Sequence, residues 1–136
     1  SADLRERTSE GGDIGREALN YGHTLAHAIE HEEHFQLRHG HAVSIGMVFA
    51  AEVARLLGMI DDELVARHRG VLEQAGLPTR YPDGAWLKLR EVMSLDKKTR
   101  GSQLRLVLLE ALGAPRIVTA PPEGLLAEAF LAINEL

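Results

Sequence analysis

The chain has 136 residues, a formal net charge of −5 at neutral pH and no cysteine. This length fits one domain with its own core, and the lack of cysteine excludes disulfides and thiolate metal sites. No basic run is interleaved with aromatic residues, which argues against a nucleic-acid partner. The polar N-terminus contains no signal-peptide pattern, so we expect a cytoplasmic protein without a membrane partner.

The first segment, residues 1–15, is polar and contains glycines at positions 11, 12 and 15. Their spacing matches neither the dinucleotide-binding fingerprint nor the P-loop, and no strand precedes them. We therefore predict that this segment is a connector and that residues 16–136 form the folded domain.

The next stretch, residues 16–34, has the periodicity of a helix with two different faces. One face carries Leu25, Ala28 and Ile29, together with Ala18 and Tyr21, which is enough apolar surface to anchor it against a core. The opposite stripe concentrates side chains that bind anions, metals or protons: Arg16, Asn20, His23, His27, His31 and His34. A solitary histidine on a helix is usually an ordinary surface or core residue, but this shared stripe predicts a functional site.

A second histidine cluster, His39-Gly40-His41, opens a segment that is apolar nearly all round a helical wheel. That pattern predicts a buried central helix. Glu52 and Arg55 interrupt it, which excludes a membrane span. His39 should therefore lie at the N-terminus of a buried helix, facing the first one.

The sequence of the rest of the chain predicts three helices and one small β-hairpin. A third helix begins at Asp61-Asp62 and stops at Gly76, before Pro78. A fourth helix covers 85–95, and the cationic run from Asp96 to Gly101 follows it, either complementing the helix dipole or holding a phosphate. Strands at 104–109 and 116–119 form the hairpin, and a helix over 123–134 closes the chain. The predicted fold class is mainly α, a helical bundle with one small β-hairpin.

The spacing of the histidines limits which kinds of metal site the chain could form. Histidines 23 and 27 have the HExxH spacing of zinc proteases, but Thr24 replaces the catalytic Glu. The sequence therefore excludes a zinc protease of that type. A pair drawn from two helices, such as His23 with His39, could bind a metal if a third ligand completed the shell. Glu17 projects off the stripe, and Glu30 lies two turns from His23. The residues alone thus predict an imidazole-rich metal or phosphate site where two helices meet.

Several motifs resemble the C-terminal domain of 3-dehydroquinate synthase. They are LNYGHTLAHAIE over 19–30, HG followed by AVSIGM over 39–47, DKK over 96–98 and the strand at 104–109. The resemblance runs along the chain in the same order. It implies a lyase of the shikimate pathway of aromatic amino acid biosynthesis. The reaction is the NAD- and metal-dependent conversion of 3-deoxy-arabino-heptulosonate 7-phosphate to 3-dehydroquinate and phosphate.

The resemblance also implies roles for particular residues and partners. His23 and His39 match two ligands of a divalent metal, usually zinc with cobalt as an option. The third ligand is a Glu of an N-terminal NAD-binding domain that is not in this sequence. The substrate- and phosphate-binding residues are Arg16, Asn20, His27, Lys97 and Lys98, with Arg16, Asn20, His27 and Lys97 as the catalytic set. The family implies a homodimer, and an isolated C-terminal part should be inactive.

Two positions depart from the family pattern: Ala26 replaces a common Gly, and His41 replaces a common Glu. We expect the Ala26 methyl to be tolerated. We expect His41 to lie near the metal, behind a ligand or facing solvent, with competition as a metal ligand as the alternative. The alternatives are another sugar-phosphate cyclase, of the 2-deoxy-scyllo-inosose or 2-epi-5-epi-valiolone synthase type, a metal-dependent alcohol or glycerol dehydrogenase, and a non-enzymatic helical binding module. Asn20 favours dehydroquinate over the other cyclases, and the cationic group of Arg16 and Lys97 argues against a dehydrogenase.

Overall fold

A computed structural model describes residues 23–33, 38–82, 84–100, 105–109 and 115–135. Within these ranges the chain forms five helices and one two-stranded antiparallel sheet, as the sequence predicts. In chain order the elements are α1 (His23–Glu32), α2 (His39–Leu56), α3 (Asp62–Gln74), α4 (Trp86–Arg100), β1 (Arg105–Leu109), β2 (Pro115–Thr119) and α5 (Glu123–Leu131).

Helix α2 is the centre of the fold, which confirms its prediction as a buried helix. It packs against α1, α3, α5 and β1. Its apolar side chains are buried on nearly every side, including Ala42, Ile45, Val48, Phe49 and Val53. Among the described helices, none has the length and apolarity needed to cross a membrane.

Helix α1 packs its apolar face into this core. Leu25, Ala28 and Ile29 are at most 1% exposed, as the helical periodicity predicts, and Ala26 is fully buried beside them. His27 and His31 are exposed on the other face. Residues 16–22 and His34, which the sequence assigns to the same helix, lie outside the described residues. The amphipathic pattern is therefore confirmed over 23–32, and it fixes how α1 lies against α2.

Helix α3 begins and ends where the local signals place it. The Asp61 side chain caps it by accepting a hydrogen bond from the Leu64 N–H at 2.9 Å. After the last turn the chain passes through Gly76, whose φ of +80° is a conformation that favours glycine. Both boundaries follow from single residues.

Two helix ends differ from their predictions. Helix α4 runs on to Arg100 instead of stopping at residue 95, because no glycine or proline interrupts it before Gly101. Lys97 and Lys98 consequently lie within a helix. Helix α5 ends at Leu131, short of the predicted Asn134, because the following backbone pairs with Tyr81 in a parallel bridge.

The β-hairpin strands pair in antiparallel register, Arg105 opposite Thr119 and Leu109 opposite Pro115. Of the residues predicted to connect them, Pro115 is the first residue of β2, and 110–114 lie outside the described ranges. Leu106 and Leu108 are buried, and β1 packs against α2. The hairpin thus covers one side of the central helix.

The charged residues that interrupt α2 form a buried network. The Glu52 side chain is 8% exposed, and its carboxylate accepts hydrogen bonds from Arg55 Nε at 2.8 Å and Arg69 Nη2 at 3.3 Å. Arg69 also donates to the carbonyls of Thr79 and Ala132. A buried carboxylate is tolerated only when such donors satisfy it. The network ties α2 to α3 and to the segments after α3 and α5.

Candidate metal centre

The end of α1 and the start of α2 meet at a carboxylate–imidazole pair. Glu30, in the last turns of α1, accepts a hydrogen bond at Oε2 from Nδ1 of His39, the first residue of α2, with the two atoms 2.8 Å apart. The Glu30 side chain is 12% exposed and the His39 side chain 62% exposed. A histidine at the rim of the fold is therefore tied to a carboxylate at the edge of the core.

This pairing determines which nitrogen of His39 can bind a metal. An ionised carboxylate only accepts hydrogen bonds, so Nδ1 must carry the proton of the pair. In the neutral imidazole the lone pair then lies on Nε2. Histidines that bind metals usually have their other ring nitrogen bonded in this way to a carboxylate or a carbonyl. The chemistry of His39 therefore fits a metal ligand.

The other predicted metal ligand, His23, is the first residue of α1 in the described structure. Its backbone is described and its side chain is not, so a shared metal between His23 and His39 stays a prediction. Among the described residues no group of three or more His, Cys, Asp or Glu side chains could hold a metal ion. The sequence assigns only two ligands to this domain.

The structure describes only some of the residues that the sequence predicts to bind the substrate. His27 lies on the exposed face of α1, one turn after His23. Lys97 and Lys98 lie in the last turns of α4, with side chains outside the described set. Arg16 and Asn20 lie outside the described residues altogether. Because α1 packs against α4, the helices that carry His27 and the two lysines are neighbours.

A second carboxylate contact, close to the end of α1, is also not predicted from the sequence. Glu33, just after the helix, accepts a hydrogen bond from the Tyr81 hydroxyl at 2.6 Å. Burial of the phenol, then the hydrogen bond and the negative charge of Glu33, raise the pKa of Tyr81 above its usual range. This contact ties the C-terminal end of α1 to the segment that bridges to Asn134.

Two solved structures with a similar fold are those of cofactor-bound synthases. One is 2-epi-5-epi-valiolone synthase ValA from Streptomyces hygroscopicus subsp. jinggangensis 5008 with NAD+ and Zn2+ bound. Its TM-score is 0.76 and its identity 22%, over 84% of this chain and 32% of that chain. Another is 2-deoxy-scyllo-inosose synthase complexed with carbaglucose-6-phosphate, NAD+ and Co2+. Its TM-score is 0.66 and its identity 26%, over 82% of this chain and 33% of that chain. The fold is thus that of the sugar-phosphate cyclases.

The sequence comparisons narrow this class to one family. A family model described as 3-dehydroquinate synthase C-terminal matches residues 4–99. The 3-dehydroquinate synthase of Thermobifida fusca (strain YX) is 56% identical over 134 residues, which cover 98% of this chain and 35% of that protein. The chain belongs to the 3-dehydroquinate synthase family, as its motifs predict. It spans about a third of the length of the curated relatives it matches.

Proposed function

We propose that this chain is the metal- and substrate-binding part of a 3-dehydroquinate synthase. The enzyme would convert 3-deoxy-arabino-heptulosonate 7-phosphate to 3-dehydroquinate and phosphate, and so would be a carbon–oxygen lyase of the shikimate pathway. The observation that carries the proposal is His39, whose Nδ1 is bonded to Glu30 so that Nε2 has the lone pair for a metal. Family membership selects this reaction among those that such a site could serve.

Both domains of the enzyme would contribute metal ligands, and the N-terminal domain would bind NAD. His23 and His39 would hold a divalent metal, zinc or cobalt, together with a Glu of an N-terminal domain that also binds NAD. When bound, the metal supplies Lewis-acid polarisation of a substrate oxygen, and NAD supplies reversible hydride transfer. Solved relatives carry NAD+ with Zn2+ or Co2+, which supports this cofactor set.

The other residues of this chain would bind and orient the phosphorylated substrate. Arg16 and Lys97, with Lys98 beside it, would form charge-assisted hydrogen bonds to the phosphate. His27 and Asn20 would orient the substrate next to the metal, which places the reacting groups before chemistry begins. The packing of α1 against α4 supports a shared site for His27 and the lysines.

The test uses the assembled enzyme, this chain joined to its N-terminal domain. Replacing His23 or His39 with Ala should remove the bound metal and phosphate release together, whereas Arg16→Ala should raise KM and lower kcat. His68→Ala is the matched control, because His68 lies on α3 and its Nδ1 contacts the Leu64 carbonyl of the same helix. Full zinc content in both His23→Ala and His39→Ala would reject the metal assignment.

A second measurement tests the division between domains. The chain alone should not form dehydroquinate from the heptulosonate phosphate, because NAD binding and the third metal ligand would come from elsewhere. Turnover by the chain alone would contradict this part of the proposal.

A further inference from the structure

We propose that Glu30 is a positioning residue for the metal centre. Its carboxylate holds the Nδ1–H of His39 and so sets the tautomer and the ring orientation in which Nε2 binds the divalent cation. This inference rests on the proposed function, because it takes His39 as a metal ligand. It adds a residue that does not touch the metal or the substrate.

The surroundings of Glu30 support a fixed carboxylate. The residue is 9% exposed, and its helical neighbours Ala28 and Ile29 are buried in the core. A carboxylate with so little access to water needs hydrogen-bond donors within the protein. The donor that it has is Nδ1 of His39, nine positions further along the chain. The acceptor is therefore held in place by the packing of α1.

The exposure of His39 shows why such an acceptor matters. With 62% of its side chain accessible to solvent, packing alone does not restrict the imidazole to one orientation. Its backbone is fixed, since it is the first residue of the central helix α2. A charge-assisted hydrogen bond to an anchored carboxylate limits ring rotation and makes the imidazole a more basic ligand. Together these effects should raise the affinity of the site for the metal.

A purely structural ion pair between α1 and α2 is the competing explanation. It predicts that loss of Glu30 lowers the unfolding temperature of the metal-free enzyme and leaves metal binding unchanged. A positioning role predicts that metal affinity falls in protein that remains folded. Metal affinity and thermal unfolding therefore have to be measured on the same variants.

The decisive variant is Glu30→Gln in the assembled enzyme, which preserves the side-chain volume and removes the charge. Glu33→Gln is the matched control, because Glu33 lies one turn beyond Glu30, just after α1, and also accepts a side-chain hydrogen bond, but from Tyr81. We expect the zinc Kd, measured by competition with a chelator, to rise about 10- to 100-fold in Glu30→Gln. The visible absorption of the Co2+-loaded enzyme should also change, and the control should match the parent in both measurements.

The outcomes of these measurements distinguish a positioning role of Glu30 from a purely structural ion pair. A parental zinc Kd and Co2+ spectrum in folded Glu30→Gln would overturn the positioning role, whatever happens to the unfolding temperature. If Glu30→Gln does not fold, Glu30→Asp carries the test. It retains the charge on a shorter side chain that reaches His39 less well, and it should also weaken zinc binding; a parental Kd would overturn the inference. Retention of zinc by His39→Ala would instead reject His39 as a metal ligand, on which the proposed function depends, so the two failures can be told apart.

Discussion

Removal of the Tyr81 hydroxyl should loosen the C-terminal end of α1, the helix that carries His23. Tyr81 is 6% exposed, and Tyr81→Phe deletes the hydrogen bond to Glu33 but keeps the ring, whose centroid lies 6.4 Å from that of Phe130. Hydrogen bonds to charged groups contribute about 1.5–3 kcal/mol. Because Glu33 is half-buried and water can replace part of this bond, we expect a loss of about 1–2 kcal/mol. For a chain of this size that corresponds to a melting temperature lower by about 3–8 °C.

The pH dependence of this loss tests its cause. The pKa of Tyr81 is raised in the folded chain, so the phenol keeps its proton at a pH where the unfolded chain releases it, above about pH 10. The contribution of Tyr81 is therefore fully present below about pH 10 and decreases as the pH rises further. Thermal unfolding of Tyr81→Phe and the parent should differ at neutral pH and converge under alkaline conditions. Equal melting temperatures at neutral pH, or a gap that widens with alkali, would refute the reasoning.

Three further changes test the cap, the core and the metal. Asp61→Ala removes the N-cap of α3 and should lower the free energy of unfolding by about 1 kcal/mol, measured by denaturant titration. Ala26→Gly introduces the residue common in the family, yet it should lower the free energy of unfolding by about 1–2 kcal/mol, because a fully buried methyl and a helix former are lost. An unchanged denaturation midpoint would contradict this expectation. Chelation of the metal from the assembled enzyme should abolish turnover and preserve the helical circular dichroism, because the described core is apolar. Loss of helix on chelation would show that the metal is structural.

The elements that the sequence predicts well are those specified by local residues. The largely apolar sequence of α2 predicts a buried helix, and the Asp61 cap and the glycine at 76 predict the ends of α3. Each signal lies within the element that it specifies, and the structure agrees with all three. The errors occur where the deciding interaction is distant or a stop signal is missing. The bridge between Tyr81 and Asn134 joins positions far apart in the chain, so helical periodicity alone extends α5 too far.

The candidate site could be predicted as a set of residue types but not as an arrangement of atoms. Histidine spacing indicates which imidazoles share a helix face, and it says nothing about which ring nitrogen carries the proton. Because Glu30 lies two helical turns from His23, the sequence does not predict it as a ligand of the same metal. Its partner is instead His39, because a short connection brings the last turns of α1 next to the first residue of α2. A carboxylate near the end of one helix and a histidine at the start of the next, with few residues between them, is therefore a usable sequence signal. In this chain the two helices that carry the pair also pack their apolar faces against each other.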